Sequence, residues 1–172
     1  MNIFFLHRSA IICAAHHCDK HVVKMILESA QILSTVHNMN GKETTYKPTH
    51  QNHPSVQWVN QSRLHYMYVQ ELAVHLCREY RKRYGKEHKC EQMIHKELRD
   101  PPDQLVKSLW VDPPQCMPES YQRKDTVEAY RAYYKGEKSY FAKWFGKKEL
   151  APSWFYNFRE GDSIAFADQK FI

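Results

Sequence analysis

Five residues that could share one chemical task sit four, three, four and three positions apart: His17, His21, Lys24, Glu28 and Gln31. At about 100° per residue they fall on one stripe of a helix, opposite Val22, Ile26 and Leu33. The plain reading is the wet side of an amphipathic helix. The residue types add a second one. An ammonium, a carboxylate and two imidazoles along one line can perturb a glutamate and make it a general base or the stabiliser of a developing cation.

A second group, Tyr46, Lys47, Thr49, His50, Asn52 and His53, falls in the polar stretch 38–53, whose Gly and Pro mark a loop. Loops carry function more often than the elements they connect, and these side chains suit a base edge, a sugar or a phosphate. The alternative is a solvated loop with His50 and His53 capping a helix opened by Pro54. Cys18-x-x-His21 with His50-x-x-His53 would make a tetrahedral zinc set. Yet Cys18 and His21 fall within a helical pattern and no turn glycines flank either pair, so neither metal nor cofactor is expected. A Gly-rich phosphate loop, an HExxH helix and a nucleophile elbow are missing, which removes those enzyme classes.

Two features suit a polyanion. The formal charge is +6, and the run Arg78, Arg81, Lys82, Arg83, Lys86, Lys89 is dense in base, whereas Glu160, Asp162 and Asp168 mark an acidic end. Such a run is either a solvated helix face or a set of phosphate contacts. Towards the end, Trp144, Phe145, Trp154, Phe155, Tyr156 and Phe158 are interleaved with Lys143, Lys147, Lys148 and Arg159. Aromatics are usually core. Mixed with cations they also suit stacking on unpaired bases, worth about 1–3 kcal/mol each.

Helices must position these groups. Residues 1–6 read as a short extended or buried lead-in, too short to span a membrane, and without a basic n-region or a small-residue cleavage site no signal peptide is expected. A helical pattern covers 9–37, with a break near Cys18 where Asp19 would cap the second part and Val22, Val23, Ile26, Ala30 and Leu33 would be buried. Pro54 opens a pattern reaching Tyr84, restarting near Asn60 or Ser62, with Leu64, Tyr68, Leu72 and Leu76 as its buried stripe and Gly85 as its stop. A helix is predicted over 87–98 and another over 125–145, capped by Asp125. Between them Pro101, Pro102, Pro113, Pro114 and Pro118 make 100–118 a loop. The sequence offers no strand pair and no repeat. With 172 residues, 42% of them hydrophobic, the expectation is all-α: one compact helical domain over 1–172. Five cysteines without a repeated spacing point to reduced thiols and a cytoplasmic protein.

Three blocks together resemble the phage endonuclease V, or pyrimidine-dimer DNA glycosylase, family. Asp19-Lys20-His21, followed by Glu28, is similar to that family's Asp-x-His and catalytic glutamate. His53, followed by an aromatic-rich helix ending in Cys77-Arg78-Glu79-Tyr80-Arg81-Lys82-Arg83-Tyr84-Gly85, is similar to its central histidine and long basic helix. Pro152-Ser153-Trp154-Phe155-Tyr156-Asn157-Phe158 resembles its aromatic tail. The blocks come in the family's order, and residues 86–124 would be an insertion. The resemblance implies an endonuclease V-type helical bundle and a two-step chemistry: a base–sugar bond is cut, then the strand is broken through an imine on the N-terminal amine. It places Glu28 on the sugar cation and His21 in the wall of the site. Met1 or Lys24 would supply the amine. His17, Gln31, the loop residues, Trp154 and Phe155 would meet the nucleotide, and Arg78, Arg81, Lys82, Arg83, Lys147 and Lys148 its backbone.

Two positions depart from the family pattern. Asn2 is large, so Met1 is expected to stay in place, leaving its amine, Lys20 or Lys24 as nucleophile, or no lyase step. Leu27 and Gln31 stand where the family has phosphate-gripping arginines. The expected function is excision of a damaged or modified base from DNA by a phage-encoded protein, with DNA as partner. The alternative is a nucleotide-binding or nucleotide-processing protein on the same scaffold.

Overall fold

The computed structural model describes residues 1–156 and contains six α-helices and no strand among them. They are α1 (Ala10–His16), α2 (Asp19–Met39), α3 (Pro54–Gln61), α4 (Arg63–Tyr84), α5 (Glu91–Lys96) and α6 (Thr126–Lys138). None is long and apolar enough to cross a membrane. The all-α reading therefore stands. Phe158, Arg159 and the acidic residues Glu160, Asp162 and Asp168 lie outside the described residues.

The two long helices, α2 and α4, pack along one another; α1 lies on α4, and α3 spans both. Their ends follow local chemistry. Pro54 occupies the first turn of α3, and His53 caps it through Nδ1, which accepts from the Ser55 N–H at 3.1 Å. Ser62 breaks the chain between α3 and α4 with extended backbone, and its hydroxyl accepts from the Leu64 N–H. Gly85 ends α4 in the left-handed conformation (φ 66°), its N–H on the Arg81 carbonyl. Asp125 caps α6 as expected, accepting from the Glu128 N–H at 3.0 Å.

The first six residues run as an extended segment through the middle. Phe5 and Leu6 are fully buried, and Phe4 touches His17 and His21 on one side and Tyr130, Tyr133 and Tyr134 of α6 on the other. The terminus is thereby sandwiched between α2 and α6. Residues 100–118, expected as a loop, form an extended strap along α3 and α4. Trp110 packs edge-on against Trp58, His65 and Tyr68. The Trp58 indole N–H donates to the Val111 carbonyl, and the Val111 N–H donates to His65 Nε2.

Several local expectations are corrected. Cys18, with extended backbone, precedes α2, and Asp19 is its first residue rather than its cap. The Asp19 carboxylate instead accepts the N–H groups of Phe145 (3.0 Å) and Gly146 (2.8 Å). Phe145 and Gly146 both have positive φ, a turn that presents successive amides to one anion. The expected helix over 125–145 ends at Lys138, and this turn follows buried Trp144. The 87–98 helix shrinks to α5, because His88 Nδ1 accepts from the Cys90 N–H and holds the preceding residues in a turn. Leu64 is 42% exposed and Val23 37%. Residues four apart drift by about 40° per step, so a stripe anchored at Leu72 and Leu76 leaves Leu64 at the rim.

Candidate functional site

Glu28 lies in the third turn of α2, on the face that meets the amino terminus. Its side chain is only 11% exposed. Oε2 accepts the backbone N–H of Asn2 at 2.9 Å and stands 4.0 Å from the α-amine of Met1. Oε1 lies 3.2 Å from Nζ of Lys24, one helical turn earlier. The carboxylate is thus held between two amines of different character. The Met1 amine belongs to a residue packed against the core, whereas the Lys24 side chain is 63% exposed.

His53 lies within electrostatic reach of both groups. Its pKa is lowered by burial first, then by the N-terminal amine and His50, with Glu28 opposing. Because Nδ1 accepts from Ser55, the neutral ring carries its proton on Nε2 and can donate it. His50 has φ 50°, a conformation rare for residues other than glycine, and its carbonyl accepts the His53 N–H at 2.8 Å. Thr49 shares a 2.7 Å hydrogen bond with His50 Nδ1. Gln31 is half-buried one turn beyond Glu28, and Lys47 and Asn52 are exposed in the loop.

His21 is on α2 but faces an aromatic wall. Its ring lies 4.5 Å from Phe4 and meets Tyr134 and Phe141 edge-on at 5.0 and 5.5 Å. Burial pushes its pKa down to about 3, keeping it neutral. Nδ1 is buried without a hydrogen-bond partner among the described residues.

Other residues fall elsewhere. His17 is not part of the α2 stripe; it follows α1, is fully buried and has Nδ1 bonded to the Cys13 carbonyl at 2.7 Å. Burial lowers its pKa to about 4. Tyr46 turns inward, its hydroxyl 3.3 Å from Cys90 Sγ. Arg83 is corrected from phosphate contact to structural anchor. Only 1% exposed, it pairs with Asp19 (3.1 Å) and Glu79 (2.8 Å) and donates to the carbonyls of Ala15 and His17. Arg81 pairs with Glu87 and Glu91, and Lys82 lies 3.8 Å from Glu79 and over the Phe145 ring. Arg78, Lys147 and Lys148 are exposed. Trp154 donates its indole N–H to His16 Nδ1 under the Arg131 guanidinium, and Phe155 packs on buried Trp144. Both aromatics pack, partly buried, against rings of α1, α6 and the turn after α6. Among the described residues no group of three or more His, Cys, Asp or Glu is disposed to hold a metal.

A cavity of about 320 Å³ opens at the far end of α2, lined by His37, Lys42, Asp100 and Gln104 among others. It contains neither Glu28 nor Met1. Those two residues meet instead where the terminus lies against α2. Asn2, which the sequence suggested only as a barrier to methionine removal, is the residue that binds Glu28 directly.

The helical fold places a buried glutamate beside the terminal amine. The family model for pyrimidine dimer DNA glycosylase matches residues 1–92, more than half of the 172-residue chain. The chain belongs to the pyrimidine dimer DNA glycosylase family. The matched region contains Met1, Lys24, Glu28 and His53 and stops before the Pro-rich strap and α6. Neither a curated protein nor a solved structure matches the chain.

Proposed function

We propose that this protein is a DNA base-excision N-glycosidase acting on a damaged or modified base, with a pyrimidine dimer as the first substrate to test. The observation that carries the reading is the 4.0 Å approach of the Met1 amine to Glu28 Oε2. In this mechanism the neutral Met1 amine attacks C1′ of the target nucleotide. The C1′–N bond breaks, and its electron pair leaves on the base, which takes up a proton. Glu28 accepts the proton released by the new C–N bond and stabilises positive charge at C1′ before that bond is complete. A proton on O4′ opens the sugar ring and leaves an imine between Met1 and C1′. Removal of a 2′ proton then expels the 3′ phosphate, which is the lyase step. Water hydrolyses the imine and returns the amine. A damaged nucleotide costs less to unstack, which favours it over intact DNA.

The test is incubation with a duplex carrying one pyrimidine dimer, followed by borohydride and peptide mass mapping. Excision through the amine gives a covalent protein–DNA product on retained Met1. Base release without a product assigns water as nucleophile, and a product on Lys24 assigns that lysine. Tight mononucleotide binding with no base release from any damaged duplex overturns excision and selects the nucleotide-binding alternative.

A further inference from the structure

We propose that Asn2 and Tyr130 form a positioning device that holds the Met1 amine at Glu28, so that the site is incomplete without α6 and the Pro-rich strap. This rests on the Met1 amine being the reacting group. Every polar atom of Asn2 named here is engaged. Its N–H donates to Glu28 Oε2 at 2.9 Å, and its amide Nδ2 donates to the Cys116 carbonyl at 3.0 Å. Its Oδ1 accepts from the Tyr130 hydroxyl at 2.9 Å and from the Ile3 N–H at 2.8 Å.

Tyr130 is fully buried in α6. Its oxygen stands 2.7 Å from the Pro114 carbonyl and accepts the Cys116 N–H at 3.3 Å. A hydroxyl has one proton, which Asn2 Oδ1 and the Pro114 carbonyl must share, so one oxygen joins the terminus to the strap. The strap is also anchored to α3, where Cys116 Sγ lies 3.6 Å from the Ser55 hydroxyl, beside the His53 cap. Cys116 and Tyr130 fall beyond the residues that the family model covers.

Chain termini ordinarily fray unless tied down. Here both backbone and side chain of residue 2 are fixed, and the Met1 side chain is packed. The amine can then move mainly by rotation within Met1 itself. Holding a nucleophile to within an ångström of its reacting geometry can change rates by roughly a hundredfold.

The test compares wild type with Tyr130→Phe, which keeps the buried ring, and with Asn2→Leu, which keeps a large second residue and so retains Met1. Amide hydrogen exchange at Asn2 reports the clamp, and single-turnover base release from dimer-containing duplex at saturating and limiting DNA reports positioning. Both variants should lose at least tenfold of the protection at the residue-2 amide while α2 and α4 amides keep theirs. The rate at saturating DNA should fall at least tenfold with half-saturation unchanged. Unchanged Asn2 exchange overturns the clamp, and lost protection with an unchanged rate overturns its catalytic role. If one variant fails to fold, the other carries the comparison. Absence of base release from wild type overturns the excision reading, while the exchange result still decides whether the clamp exists.

Discussion

Glu28 and Met1 are 27 positions apart in sequence, yet the carboxylate oxygen Oε2 stands 4.0 Å from the terminal amine. That meeting depends on the extended first six residues, which carry the amine inward past Phe4 and deliver it to the buried side of α2. Lys24 approaches the same carboxylate from solvent. The two amines therefore differ in burial, and an amine enclosed by protein is better shielded from competing water than one on a mobile exposed stem.

Arg83 should behave as part of the fold. It joins α4 to Asp19 at the start of α2 and to Glu79, with carbonyls of Ala15 and His17 completing its donors. Arg83→Met leaves two carboxylates without their partner and should cost about 3–5 kcal/mol in urea unfolding. The salt dependence of DNA binding by the folded fraction should not change. Lys147→Ala, by contrast, should leave stability within about 0.5 kcal/mol and, if that lysine meets a phosphate, reduce the salt slope by about 0.9.

Acid should unfold the protein through its buried histidines. Burial lowers the pKa of His16 and His21 to about 3 and of His17 to about 4, all from 6.5. Between those values and 6.5 the unfolded chain binds protons that the folded chain refuses. Stability from this source is complete above about pH 6.5 and is lost as pH falls towards 3–4, by up to about 1.4 kcal/mol per pH unit for each histidine. Melting temperature should drop steadily from pH 7 to pH 4. A flat profile over that range would contradict the burial of these rings.

His53 has two separable tasks. Its Nδ1 caps α3, and its ring feels the charges of the Met1 amine and Glu28. His53→Asn preserves a capping acceptor and should change stability by less than about 0.5 kcal/mol, whereas His53→Ala should lose about 1 kcal/mol. Base release should fall in both, by at least tenfold. Equal stability in the two variants would argue against the cap, and full activity of His53→Asn against a donor role.

The long helices were legible because apolar spacing and local punctuation agreed: Pro54, Ser62, Gly85 and Asp125 act where their types suggest. The Lys24–Glu28 pair was legible for the same reason, since four-residue spacing places both on one face. Long-range pairing was not. Nothing local to Asp19 announces that its carboxylate will bind the amides of Phe145 and Gly146, and without that knowledge it reads as a helix cap. Arg83 looked like its basic neighbours, although beyond Glu79 on its own helix it reaches Asp19 at the start of α2. His17 looked like the next step of the His21 stripe, because a helix break at Cys18 changes phase without changing composition. The role of Asn2 was hidden in the same way, since its partners Cys116 and Tyr130 are more than a hundred residues away.

The most direct test is single-turnover base release from a dimer-containing duplex by wild type and Glu28→Gln, with binding measured in parallel. Gln keeps the size and one acceptor oxygen for the Asn2 N–H but removes the charge. The account predicts a loss of about 10²–10⁴-fold in the rate, with DNA affinity and melting temperature close to wild type. Full-rate base release by Glu28→Gln would contradict it.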